Sequence, residues 1–226
     1  MKHDSFNESA EMYLKTVSEL AVGDAPVAIS ALAGRLGVSA VSATEMVHRL
    51  QESGLIDHRP YKGITLTGDG HHLAAGVIRS HRLWECFLVD RLKLPWDDIH
   101  ELACRLEHAT DPRVTDALDV YLGYPLTCPH GNPVPSSDGS VVEPADQPLT
   151  TLFPGQSAII SRIHPETPEL LSYLSDLGLT PGTRITLKEL APFQGPLVVL
   201  VRDDIRYLGT EGAAQIFVSR IEETPR

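Results

Sequence analysis

Apolar residues recur at Met12, Tyr13, Val17 and Leu20 with the period of a helix that covers one face, and Gly23 offers a stop, so a helix is predicted over residues 5–22. Two further stretches of the same period, 28–37 and 38–54, meet at Gly37, with Ser39 placed to cap the second. Helix, glycine turn and helix make a helix-turn-helix. The period then shortens: LIDHRPYKGITLTGDG reads as two strands around Pro60 to Gly63, a wing behind the recognition helix.

From Val77 to Leu94 the pattern predicts a long helix carrying Leu83, Phe87 and Leu88 and ended by Pro95. A second helix, capped by Asp97 or Asp98, runs to about Ala109. A third opens at Asp111 with Pro112 in its first turn and Val114, Leu118, Tyr121 and Leu122 on one side. Proline, serine and glycine dominate between His130 and Gln147, which predicts a linker. Beyond it, QSAIISRIH, TRITLKEL, PLVVLVR, IRYLG and AAQIFVSRIE are expected to be the strands of a small β-barrel, interrupted by a helix around Pro168 to Leu177. The expected fold is mainly α with a small β domain: a winged helix over 1–76, a helical domain over 77–130, a linker over 131–150 and the barrel over 151–226.

Composition narrows the classes. The 226 residues contain no apolar run of membrane-spanning length, and MKHDSFNESAEMY has no apolar leader, so a cytoplasmic protein without membrane association is expected. Three cysteines, Cys86, Cys104 and Cys128, suit reduced thiols better than a disulfide scaffold. The net charge of -11 opposes a broad nucleic-acid surface, and none of the expected domains is basic, so any contact with DNA must be local. On the recognition helix Ser39, Ser42 and Thr44 suit phosphate or base contacts, and His48 and Arg49 suit phosphates. Arg59 and Lys62 at the wing tip read equally as backbone contacts or as solubilising turn residues.

The chemistry lies in the helical domain. His81 and Glu85 are one turn apart, about 40° around the helix, and can share one ion. His100, Cys104, Glu107 and His108 fall within an arc of about 100° on the next helix, beside the apolar stripe of Ile99, Leu102, Ala103 and Leu106. Packing the two stripes together would bring both polar faces to one seam. Such pairs are often ordinary surface residues, but six metal-capable side chains flanking two apolar stripes point to a metal. Nitrogen, oxygen and sulfur donors together suit iron(II), manganese(II), cobalt, nickel or zinc rather than calcium or magnesium. A zinc hydrolase would call for a helix of the H-E-x-x-H kind, which is absent.

The early EMYL, the H-x-x-x-E helix, the H-x-x-x-C-x-x-E-H helix and the GNPVP loop, in that order behind a winged helix, resemble the diphtheria toxin repressor family of metal-dependent transcriptional regulators. The resemblance spans nearly the whole chain. It implies a helical dimerisation domain, a C-terminal barrel like a Src-homology domain, and two ions per subunit. One ion would be held by His81, Glu85 and His100, with Glu166 and Glu169 of HPETPEL completing the site; the other by Met12, Cys104, Glu107 and His108. Cys104 resembles the iron-responsive branch, where the manganese-responsive branch more often has a carboxylate, so either metal stays open. Val41 stands where the family usually has proline. The function implied is a homodimer, not an enzyme, that binds double-stranded operator DNA when manganese(II) or iron(II) acts as co-repressor of metal-uptake genes. Two alternatives remain at this point: a winged-helix regulator indifferent to metal with a structural ion, and a metal-dependent hydrolase.

Overall fold

The computed structural model describes residues 8–21, 23, 25–193 and 195–223; residues 5–7 and 22 of the first expected helix lie outside them. The chain divides into two compact units, the first made of Met1–His81, Arg105–Ala117 and Pro135–Val141, the second of Arg82–Cys104, Leu118–Val134 and Val142–Arg226.

In the first unit α1 (Glu8–Leu20), α2 (Ile29–Leu36) and α3 (Ala40–Glu52) precede a hairpin of β1 (Ile56–Arg59) and β2 (Gly63–Leu66). Gly37 closes α2 in the left-handed conformation, and Ser39 Oγ accepts the Ser42 amide at 3.1 Å, so the turn expected between the two helices is built by the residues expected to build it. Leu14, Leu32, Val47, Leu50, Ile56 and Ile64 form one fully covered core, each helix contributing its apolar stripe.

The next helix begins earlier than its periodicity suggested. Instead of opening at Val77, α4 runs from Gly68 to Asp90, because Thr67 supplies a cap: its Oγ1 accepts the Gly70 amide at 3.1 Å and donates to the Gly54 carbonyl at 2.8 Å. Gly70 is needed there, since a Cβ would stand 1.9 Å from the Leu55 carbonyl oxygen. Three glycines at 68, 70 and 76 had disguised this start as loop. Then come α5 (His100–Ala109) and α6 (Pro112–Leu122), close to expectation.

In the second unit β3 (Gln147–Pro148), a 3-10 turn (Leu149–Thr151), β4 (Gln156–Ile163), α7 (Pro168–Leu177), β5 (Arg184–Leu190), β6 (Leu197–Val201), β7 (Asp204–Leu208), α8 (Thr210–Ala214) and β8 (Ile216–Glu223) form an antiparallel sheet of order β3-β8-β4-β5-β6-β7. All five expected strands are present, but the ladder stays open: among the described residues β3 and β7 are its edges. β3 is only two residues long and ends in Pro148, which has no amide to donate, a composition suited to an edge strand. Ile160, Ile163, Leu171, Leu174, Ile185, Leu187, Val199, Leu208, Ile216 and Val218 fill the space between sheet and helices.

The expected linker also needs correction. Asn132 and Pro135 are buried, Cys128 and Asn132 are backbone-paired at 2.9 Å, and the Asn132 side chain donates to the Ile163 carbonyl at 2.8 Å. Its composition is that of a loop, yet side-chain amide and backbone bonds make the first part a fixed element. Among the described residues no helix is long and apolar enough to cross a membrane.

Candidate metal centre

Two clusters of titratable side chains stand out, one in each unit. In the second unit Glu85 from α4, Cys128 and His130 from the loop after α6, and Glu166 from the turn before α7 are all buried, and each offers a ligand atom within 4.8 Å of the others. His130 Nδ1 is 3.1 Å from Glu85 Oε1 and 3.8 Å from Glu166 Oε2; Cys128 Sγ is 3.9 Å from Glu166 Oε1. His100, at the start of α5, points Nδ1 at the same two carboxylates, 3.5 Å from Glu85 and 3.6 Å from Glu166.

The chemistry of this cluster fits a cation. His130 Nε2 donates to the Trp96 carbonyl at 2.7 Å, so in the neutral ring the lone pair sits on Nδ1, facing Glu85. A lone pair and a carboxylate oxygen at that distance repel unless a proton or a metal lies between them. Burial alone would lower the His130 pKa, but Glu85 and Glu166 outweigh it and raise it above the ordinary value. Burial and Glu85 push the Glu166 carboxyl up, whereas His100, His130 and Arg82 prevail and hold it below the usual range. Burial, with Glu85 and Glu166, raises the Cys128 thiol well above normal. A groove of about 380 Å³ is lined by Cys86, Trp96, Thr127, Cys128, Pro129 and Thr180.

The loop that delivers Cys128 and His130 is held by Gly131. At φ +85° it lies so close to β4 that a Cβ would be 2.0 Å from the Ser161 carbonyl oxygen and 2.7 Å from Arg162 Cα. Replacing Gly131 by Ala is therefore expected to destabilise the second unit by about 2–3 kcal/mol, visible as a lower melting temperature, and to shift Cys128 and His130 away from Glu85 and Glu166.

In the first unit Glu107 is the hub. Its carboxylate receives Lys15 Nζ at 2.8 and 3.1 Å, meets His81 Nδ1 in a short contact and lies 3.2 Å from His108 Nε2. His108 Nδ1 is in turn 2.6 Å from Glu11 Oε2. Burial would raise the Glu107 carboxyl, but His81 and Lys15 outweigh it and hold it below its usual value.

Of the residues expected from the sequence, Glu85, His100 and Glu166 thus come together in the second unit, and His81, Glu107 and His108 in the first. His81 and Glu85 lie one turn apart on α4. Cys104 Sγ is 3.8 Å from His100 Nε2. Met12 is half-buried on α1, where its neighbour Glu11 makes the contact to His108. Glu169 is exposed on the first turn of α7 and lies outside both clusters. Cys128, His130, Glu11 and Lys15 had no assigned part; the Cys-x-His spacing of CPHGNP was the available signal for the first two.

On the recognition helix α3, Ser39, Ser42, His48 and Arg49 are exposed and Thr44 is half-buried. Ser39 is engaged as the cap and Thr44 Oγ1 donates to the Ala40 carbonyl at 2.7 Å. At the wing tip Arg59 and Lys62 flank Tyr61, which is fully exposed at φ 64° and was not singled out by the sequence.

A winged helix joined to helices that carry buried clusters of imidazole, carboxylate and thiol defines a metal-dependent DNA-binding transcriptional regulator. Residues 5–64 match the family described as iron dependent repressor, N-terminal DNA binding domain; 67–136 match iron dependent repressor, metal binding and dimerisation domain; and 147–220 match the FeoA domain. The iron-dependent repressor IdeR of Mycobacterium tuberculosis is 30% identical over 226 residues, covering 95% of this chain and 98% of its own. The diphtheria toxin repressor of Corynebacterium jeikeium is 35% identical over 131 residues, 58% of this chain and 55% of its own. Among solved structures, a manganese-dependent transcriptional repressor in complex with manganese is 34% identical with a TM-score of 0.84, covering 92% of this chain and 98% of that one. ScaR with bound Cd2+ is 31% identical with a TM-score of 0.83, covering 93% and 98%. The chain belongs to the diphtheria toxin repressor family of metal-dependent regulators.

Proposed function

We propose that this regulator binds operator DNA as a homodimer when manganese(II) or iron(II) occupies two centres per subunit, and that it represses genes of metal uptake. The observation that carries the proposal is the meeting of Glu85, His100, Cys128, His130 and Glu166 with His130 Nδ1 aimed at carboxylate oxygen. These residues would hold one ion, with His81 the neighbouring donor one turn along α4. Glu107 and His108, with Cys104 and Met12 as the resemblance implies, would hold the second. An ion there supplies positive charge to buried carboxylates; the chain supplies oriented donors. Relatives named for iron, for manganese and for other bound divalent ions support a site of mixed donors.

A dimer is supported by the exposed apolar side chains Val120, Tyr121, Tyr124 and Leu126, which are 59%, 61%, 65% and 84% exposed at the end of α6 and just beyond. DNA contact is proposed for Ser39, Ser42, Thr44, His48 and Arg49 on α3 and for Arg59 and Lys62 on the wing, with Tyr61 between them.

The reading is tested by reciprocity. If metal raises affinity for the DNA upstream of its own gene, that DNA must raise affinity for manganese(II) by the same factor. Identical metal titrations with and without DNA would refute it.

The pH dependence follows from the two raised pKa values. An ion at the second-unit centre must displace the Cys128 proton throughout the neutral range, and also the His130 proton below the raised imidazole pKa. Affinity for manganese(II) is therefore expected to rise with pH, about tenfold per unit above that pKa and more steeply, up to about a hundredfold per unit, below it. Titrations from about pH 6 to 8 check this, and buffers of differing ionisation enthalpy count the protons released.

A further inference from the structure

We infer that Lys15 is a tethered counter-cation for Glu107, holding at the carboxylate the place a divalent ion takes, and that it thereby sets the free metal concentration the regulator requires. The inference rests on the reading above that Glu107 is a ligand.

Lys15 is 4% exposed, an unusual fate for a lysine, and it lies on α1 next to the core residues Tyr13, Leu14 and Val17. A lysine that only covered apolar surface would carry its ammonium out to water. This one turns inward and grips both carboxylate oxygens, at 2.8 and 3.1 Å. Of the other groups on that carboxylate, His108 is a donor a metal can use, oriented from behind by Glu11. Lys15 is the one member of the described cluster that is a permanent cation without a lone pair to give.

A buried carboxylate needs a positive partner, and Lys15 meets that need in the metal-free protein. Two cations a few ångströms apart in a covered site repel strongly. An incoming ion must either drive the ammonium off or bind against it, and both weaken net affinity. The same contact ties α1 to α5, as does Glu11 to His108 one turn away. Metal at Glu107 thus exchanges an existing ionic link between these helices for a coordinate one, and the sensor responds only above the concentration at which that exchange is favourable.

The experiment is manganese(II) binding to the full chain, measured by competition with a fluorescent chelator, for wild type, Lys15→Met, Lys15→Gln, Lys15→Arg and Glu107→Gln, with melting curves for each. Lys15→Met is expected to leave the number of bound ions unchanged and to tighten one of them by roughly tenfold or more, whereas Lys15→Arg stays near wild type. Without metal Lys15→Met melts lower, since Glu107 loses its counter-ion, and it gains more on adding manganese(II). Lys15→Gln, closer in length and polarity, shows the same direction should the Met variant fold poorly. Unchanged or weaker binding in folded Lys15→Met or Lys15→Gln overturns the inference and makes the lysine a supporting residue. Unchanged stoichiometry and affinity in Glu107→Gln overturns instead the reading of Glu107 as a ligand, and the inference with it.

Discussion

Replacing Glu107 by Gln is expected to remove metal-activated DNA binding altogether. Gln keeps the shape of the side chain and loses its charge, so any ion held there loses an anionic donor, while Lys15, His81 and His108 are left around a neutral amide. Even residues that only orient metal ligands cost about 10–100-fold when replaced, so a ligand should cost at least that. The substitution also leaves the Lys15 ammonium buried against a neutral group; breaking a buried pair from one side costs about 3–5 kcal/mol. Melting curves should therefore show a less stable but folded protein, and anisotropy titrations should give one weak affinity for DNA with or without metal.

His130→Ala is expected to have the second largest effect, through the other centre. It removes the buried nitrogen that lies 3.1 Å from Glu85 and 3.8 Å from Glu166, the nearer of the two imidazoles to Glu85. Two buried carboxylates then confront each other with one imidazole fewer, that of His100 remaining beside them and Cys128 still reaching Glu166 from the loop. Bound manganese(II) should fall by one ion per chain at concentrations that saturate wild type, with a loss of affinity at that centre of about 100-fold. Metal content after gel filtration measures the first, and competition with a chelator the second. The Glu107 centre should still load, which separates the two sites.

Much of the architecture was legible because it rests on periodicity. The stripes through Leu14, Leu32, Val47 and Leu50, and the alternation along QSAIISRIH and PLVVLVR, each face a core that the structure contains. What escaped was fixed by single contacts rather than by pattern. The start of α4 depends on the Thr67 cap and on Gly70 fitting under a carbonyl, and glycines there weaken the helical signal. The His130 to Pro135 stretch has a loop composition, and its burial follows from Gly131 lying against β4 and from the Asn132 amide, neither of which leaves a periodic trace. For the same reason the sequence offered the candidates on the helices readily, since i,i+4 spacing is visible, but not Cys128 and His130, which reach Glu85 only through the fold. On α1 the resemblance pointed to Met12, while the ionic contacts to α5 are made by Glu11 and Lys15, ordinary charged residues whose partners only the structure reveals.

Metal control of DNA binding is the property on which the regulator's role depends. Its most direct test is fluorescence anisotropy of the labelled upstream DNA with the purified chain, under anaerobic conditions and at fixed salt, in chelator and then in manganese(II) or iron(II). The expected outcome is an affinity gain of roughly 10- to 100-fold with metal, reversed by chelator; equal affinity in chelator and in metal would show that the ion does not govern DNA binding.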